Sequence, residues 1–230
     1  MTLPKINFPL ILIKLGRYED IIDFQKNGHL YCNSIHYFKG IEDGSLRGDP
    51  DEHVIKYKQI APGTLMTLNP IEGSHKGKKI RIKLTKAIYK EHATSPLGNL
   101  FCMFAMRLSK QPLGHGFKID PLCKGFGSHF LVVFDTEKFF ERLDMAIAKQ
   151  RQAYKRGFVE YTDMSRYNGE RDLLQKDIKY SFQNEYRIIF SNDSFEPLHV
   201  YLGSLEDISK IYPASDIDHF TLMVNTPEAI

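Results

Sequence analysis

Hydrophobic residues along this chain fall mostly in short runs bounded by Gly, Pro, Asn or charged clusters, a pattern that favours strands over helices. Residues 9–15 form a near-continuous apolar run ending at Gly16, read as a buried strand. Residues 18–26 place Ile21, Ile22 and Phe24 at helical positions and stop at Asn27-Gly28. A short strand follows at 29–32, a break at Asn33-Ser34, and an aromatic cluster at His36-Tyr37-Phe38. Strands are further predicted at 54–60, 63–69, 79–86, 99–108 and 129–135. Thr136 then caps a helix running to about residue 154, with Phe139, Phe140, Leu143, Met145, Ala146 and Ile147 inward. Its basic end, 149–156, complements the helix dipole. The remaining strands are predicted at 157–162, 176–190, 197–202 and 220–225, with a polar irregular stretch at 163–175 and a turn and short helix at 203–212. Strands outnumber helices, giving an α+β class, and no repeat or linker divides the chain, so residues 1–230 are read as one domain.

The predicted strand over 176–190 carries charge at its centre. Side chains alternate faces along a strand. Tyr180, Phe182, Tyr186, Ile188 and Phe190 then form one stripe, and Ser181, Gln183, Glu185 and Arg187 the other. Glu and Arg are rarely buried without partners. Either this face is wet, with Glu185 and Arg187 meeting cross-strand partners, or Gln183 and Glu185 stand rigidly on the floor of a cleft with Glu185 acting on a ligand.

Two long irregular segments bear on that choice. Residues 40–52 contain Gly44, Gly48 and Pro50, and set Glu42, Asp43, Asp49, Asp51 and Glu52 against Arg47 alone. A solvated surface loop is the first reading; the spacing fails the EF-hand pattern, and a loop roofing a cleft is the third option. Residues 109–128, with Pro112, Gly114, Gly116, Pro121, Gly125 and Gly127, read as a long irregular loop of the kind that is often functional. His115 and His129 lie in or beside it.

Composition changes this picture little. Net charge of +3 permits an anionic partner without requiring one. Lys79, Arg81 and Lys83 share one parity, with Ile80, Ile82 and Leu84 on the other. That stripe is either a lysine-guarded edge strand or a phosphate-contacting, nucleic-acid-binding surface. Cys32, Cys102 and Cys123 are odd in number and widely spaced, which argues against zinc or a disulfide framework and for the cytosol. Residues 8–13 are too short to span a bilayer and lack a signal-cleavage region, so no membrane association is expected. No P-loop, Gly-x-Gly-x-x-Gly, Gly-x-Ser-x-Gly or His-Glu-x-x-His motif occurs, and no metal site is expected.

What remains is a strand–helix–Gly–strand opening, 11–17, 20–28 and 30–34, and the late Gln183-Asn-Glu185. That combination resembles the ADP-ribosyltransferase superfamily. A second similarity is to a family of bacterial proteins with an early Asp-Pro-x-Glu segment, here Phe38 and Asp49-Pro-Asp-Glu52. Its late Lys–aromatic-Ser–Glu-x-Arg segment is here Lys176, Tyr180-Ser181 and Glu185-Tyr-Arg187. The resemblance implies a mostly antiparallel split β-sheet core with a few flanking helices and NAD as substrate. Glu185 would stabilise the oxocarbenium-like ribose, and Gln183 would orient the acceptor. Lys14 or Arg17 would hold the diphosphate, and Tyr31 or Tyr37 would stack on nicotinamide; Tyr31, Ser34 and Tyr37 compete for the second-strand position. It further implies a nucleic-acid or protein acceptor, a role as a bacterial toxin or phage-defence effector, and a possible antitoxin or chaperone partner. A non-catalytic nucleic-acid-binding module is one competing reading. A metal-dependent nuclease using Glu42, Asp43, Asp49 and Asp51 with Glu185 is the other.

Overall fold

The computed structural model describes residues 8–41, 46, 48–107 and 116–222. The chain opens with β1 (Ile11–Gly16), α1 (Tyr18–Asn27), β2 (His29–Ser34) and α2 (Ile35–Lys39). Next come β3 (Val54–Ile60), β4 (Leu65–Leu68), β5 (Ile80–Lys83), β6 (Ala87–His92), β7 (Asn99–Met106) and β8 (Phe117–Lys118). A 3-10 helix (Pro121–Phe126) leads to β9 (His129–Val133) and α3 (Thr136–Gln150). Then follow β10 (Tyr154–Phe158), β11 (Glu160–Thr162), β12 (Gly169–Glu170), β13 (Gln175–Asp177), a 3-10 helix (Ile178–Gln183) and β14 (Glu185–Phe190). β15 (Leu198–Tyr201), β16 (Ser209–Pro213), a 3-10 helix (Ala214–His219) and β17 (Thr221–Leu222) complete the described chain. The architecture is mixed α and β, mostly antiparallel, with few helices. None of the described helices is long and apolar enough to cross a membrane.

Eight strands form the main sheet in the order β10-β14-β7-β1-β9-β16, with β2 joined to β7 and β15 to β2. Strand β14 covers one edge of β7 from Asn99 to Phe104. On the other edge, β2 meets only Asn99 and Leu100, and β1 only Phe104, Ala105 and Met106. The sheet therefore forks along β7, and residues 101–103 carry no strand on that edge. Both β1 and β2 run antiparallel to β7, so they run parallel to each other and need a crossover between them. Helix α1 supplies it, and its thickness holds the two arms apart.

Each face of the sheet buries an apolar layer. On one, Leu12, Phe101, Met103, Leu131, Tyr186, Ile188 and Phe190 pack beneath α1 and α3, which contribute Ile21, Phe24, Phe139, Phe140, Leu143 and Ile147. On the other, Ile13, Phe104, Phe130 and Val132 pack with Ile119, Cys123, Ala214 and Ile217. At the fork the Gly-rich segment closes on β1. A Cβ at Gly127 would stand 2.2 Å from the carbonyl of Gly16, so only glycine allows that approach.

Several sequence expectations need correction. Residues 176–190 are not one strand. Asp177 caps a 3-10 turn by accepting from Lys179 N at 3.0 Å, and Asn184 adopts the left-handed conformation at φ 37°. Tyr180 and Phe182 thus leave the stripe of Tyr186, Ile188 and Phe190, and Gln183 does not alternate with Glu185 on a strand. Helix α3 is capped by Asp135, not Thr136, and ends at Gln150; Tyr154 belongs to β10. Residues 203–212 hold strand β16 instead of a helix. The 109–128 segment is built from residue 116 onward into β8 and a 3-10 helix. Strand β6, at Ala87–His92, was not anticipated.

The arm through β2 and β15 depends on Gly28, at φ 60°, where an added Cβ would lie 2.2 Å from Gly203 O. Gly28→Ala is expected to cost more than about 1 kcal/mol, read as a lowered urea midpoint with unchanged slope.

Candidate active site

A cleft of about 840 Å³ occupies the fork, within the usual range for small-molecule sites. It gathers Lys14, Arg17, Tyr31, Tyr37, Gln183 and Glu185, six of the seven residues that sequence reasoning assigned to catalysis or NAD contact. Ser34 is buried in its pairing with Asn99, outside the cleft. The basic residues Lys79, Arg81 and Lys83 lie in or beside the β4–β5 hairpin, whose strands are exposed on both faces. The alternation at 79–85 therefore does not separate a wet face from a buried one.

The floor is ionic. Arg187, at the middle of β14, is 0% exposed. Its Nε donates to Glu185 Oε1 at 2.7 Å. Its Nη1 and Nη2 donate to Glu52 Oε1 and Oε2 at 2.6 and 3.0 Å, a bidentate pair, and Nη1 also reaches Leu173 O at 2.6 Å. Lys176 Nζ donates to Glu185 Oε2 at 3.0 Å and to Gln183 Oε1 at 2.8 Å. Gln183 Nε2 in turn donates to Leu46 O at 2.6 Å. Gln183 therefore positions Lys176 from its 3-10 turn.

The turn Asp49-Pro-Asp-Glu52 roofs this floor and is not a solvated loop, since Asp49, Glu52 and His53 are all buried. Asp49 Oδ1 accepts from Asp51 N at 3.0 Å, and Arg171 Nη2 stands 3.5 Å from Asp49 Oδ2 and 3.7 Å from Glu52 Oε1. Tyr180 donates to Gly48 O at 3.0 Å. The two short motifs that carried the bacterial-family similarity thus meet in one cluster. Arg187, Lys176, Glu52 and Arg171 were not assigned as site residues; the only sequence signal was their place in, or next to, those motifs. For the nuclease alternative, Glu42 and Asp43 lie outside the described residues. Asp51 is taken by Lys90 at 2.7 Å, and no metal-holding group of His, Cys, Asp and Glu occurs among the described residues.

Within this cluster Arg171, Lys176 and Arg187 balance Asp49, Glu52 and Glu185. Lys14 adds a further cation. By register Ile13, Phe104 and Glu185 share one face, so Lys14 starts from the other. Its Nζ turns into the fork, donates to Cys102 O at 2.9 Å and sits 4.2 Å from the Phe101 ring centroid. That carbonyl lies on the edge the fork leaves unpaired. No carboxylate lies within ion-pair distance of Lys14 among the described residues. Burial lowers its pKa, against the opposing pull of Cys102, Cys32 and Glu185. Lys14 thus places a basic side chain on the cleft wall. Arg17 is exposed and held by Asp20 at 2.9 and 3.0 Å.

Burial alone would raise the Glu185 carboxyl, but Arg187 and Lys176 outweigh it and hold the pKa well below the ordinary carboxylate range. Glu52 is lowered in the same way, burial being overcome by Arg187, Lys176 and Arg171. Asp49 moves the other way, raised by burial and by Glu52. Comparison with protein-family models, curated proteins and solved structures returns no match for this chain.

Two outcomes follow from these contacts. Arg187→Met leaves two buried carboxylates without their guanidinium and is expected to lose about 3–5 kcal/mol of stability in urea unfolding. Glu185 and Glu52 titrate below their ordinary value of 4.5 when folded. Their contribution is therefore present above that pH and is lost as pH falls through the folded values. Asp49 has the opposite sign: its contribution is lost as pH rises through its raised value. The urea midpoint should fall on acidification below about pH 5, and Glu185→Gln should flatten that limb.

Proposed function

We propose that this chain transfers ADP-ribose from NAD, with the fork as the NAD site. The observation that carries the reading is the convergence of Lys14, Tyr31, Tyr37 and Glu185 on one cleft from three separate stretches of sequence. An antiparallel sheet forked beside the carboxylate-bearing strand supports an ADP-ribosyltransferase-like fold. The surplus Lys14 cation suits a diphosphate. Exposed Tyr37 and half-buried Phe38 at the cleft supply ring surface for nicotinamide.

Glu185 suits one role in particular. Its two oxygens each hold one hydrogen bond from a cation, and the Cys102 thiol supplies a third; a carboxylate with about four lone-pair sites still has capacity for a ribose hydroxyl. Its charge and position are fixed before the ligand arrives. As the bond between ribose C1′ and nicotinamide lengthens, positive charge grows on the sugar, and a preorganised carboxylate stabilises it. A carboxylate held so far below neutrality is a poor proton acceptor. Glu185 therefore stabilises the cationic sugar, and deprotonation of the acceptor belongs to another group.

With labelled NAD, the wild type is expected to release nicotinamide, and Glu185→Gln to do so about 10²–10³-fold more slowly. Circular dichroism of the variant serves as the folding control. A folded Glu185→Gln protein with full NAD turnover removes Glu185 from the chemistry.

A further inference from the structure

Strands β4 and β5 pair only with each other, from Leu65 opposite Lys83 to Leu68 opposite Ile80. Cross-strand partners share a face, and so do alternate residues. Leu65, Thr67, Arg81 and Lys83 therefore stand on one side of this ribbon, and Met66, Leu68, Ile80 and Ile82 on the other. The second side is wholly aliphatic, yet its four residues are between 37% and 42% exposed. None of them joins an apolar cluster of the described core. Neither outer edge of the ribbon carries a backbone hydrogen bond to another strand among the described residues. A lone two-stranded hairpin is marginally stable in water, and a third strand on it adds both ladder and packing.

Charge is concentrated on the same segment. Residues 63–86 hold six Lys and Arg against Glu72 alone. Their net charge is +5 where the whole chain has +3, so the remaining residues together carry −2. None of the six cations forms an ion pair among the described residues. Lysines that guard an edge against aggregation would account for the charge. They would not account for the bare aliphatic face behind it, since a guarded strand borders a sheet that is buried on its other side.

We infer that the outer edge of β5 receives an extended segment of another protein in which Asp or Glu alternates with aliphatic residues. An added strand continues both faces of the ribbon. Its alternate side chains fall beside Arg81 and Lys83 on one face and beside Ile80 and Ile82 on the other, and its main chain pairs the open edge. On the β4 edge the same carboxylates would meet Leu65 and Thr67, so β5 is the edge that fits. Other occupants satisfy only part of the pattern. A nucleic acid takes the cations and leaves the aliphatic face in water, and residues 63–86 contain no Phe, Tyr or Trp for a base to stack on. A bilayer takes the aliphatic face and leaves Arg81 and Lys83 directed away from its headgroups. A second copy of this chain sets cations beside cations, which is destabilising. The inference does not depend on the NAD reading.

The test uses the full chain and fluorescent peptides at about 0.15 M salt, where exposed charges are screened beyond the closest neighbours. A peptide alternating Glu with Val should bind, read by anisotropy, about tenfold or more tightly than one of the same composition with its Glu and Val in two blocks. Two further peptides carry N-methyl groups, one at every Glu amide and the other at every Val amide. Successive N–H groups of a strand point to opposite edges, so one of the two should lose binding and the other keep it. The double variant Arg81→Glu with Lys83→Glu changes two exposed residues. It should lose the Glu–Val peptide and gain one alternating Lys with Val, with an unchanged circular dichroism spectrum. Equal binding of the alternating and block peptides, no binding of either, or an equal effect of the two methylations overturns the added strand. Tighter binding of an oligonucleotide, or of vesicles containing anionic lipid, than of the alternating peptide overturns it in favour of that surface.

Discussion

A guanidinium sealed from water sets the terms for the rest of this molecule. Arg187 stands at the centre of β14 with no exposed surface. A charge so placed is costly unless it is paired and hydrogen-bonded. Glu185, two residues earlier on the same strand, takes one nitrogen, and Glu52, 135 positions away in sequence, takes the other two. The second contact draws the Asp49–Glu52 turn down over the sheet. Lys176 donates both to the other oxygen of Glu185 and to Gln183 Oε1, and so ties the 3-10 turn before β14 to the same centre. Removing one member strands the others, so the cluster makes the roof, the floor and the turn a single unit.

The fork and the cluster explain each other. A sheet that continued past β7 would pair residues 101–103 and leave no room for a ligand. Because α1 holds β1 and β2 apart, the Cys102 carbonyl is left on an open edge, and Lys14 meets it. Lysine there satisfies a buried acceptor while bringing positive charge into the cleft. The floor beneath is nearly neutral, and its anion is locked in place. The cleft therefore combines a lysine on its wall with a carboxylate fixed between two cations.

Much of the framework was legible in the sequence, because it rests on local signals. The run ending at Gly16, the helix stopped by Asn27-Gly28 and the apolar stretch of β7 fall where periodicity and breakers place them. The 176–190 stretch misled, since its alternation mimics a strand. Asp177 and Asn184, which break it, act through capping and a left-handed backbone that a binary pattern does not encode. The acidic 40–52 segment also misled: charge density indicated water, while the pairing that buries Asp49 and Glu52 comes from Arg171 and Arg187, far away in sequence. Gln183 and Glu185 do meet on the cleft floor, but through Lys176 and not through strand parity.

The most direct measurement is a crystal structure of the protein with a non-cleavable NAD analogue. The account requires the analogue in the fork between β1 and β2, with a ribose hydroxyl of the nicotinamide half within hydrogen-bond distance of Glu185 and the diphosphate turned toward Lys14. An analogue bound elsewhere, or Glu185 meeting only Arg187 and Lys176 with the fork empty, contradicts it.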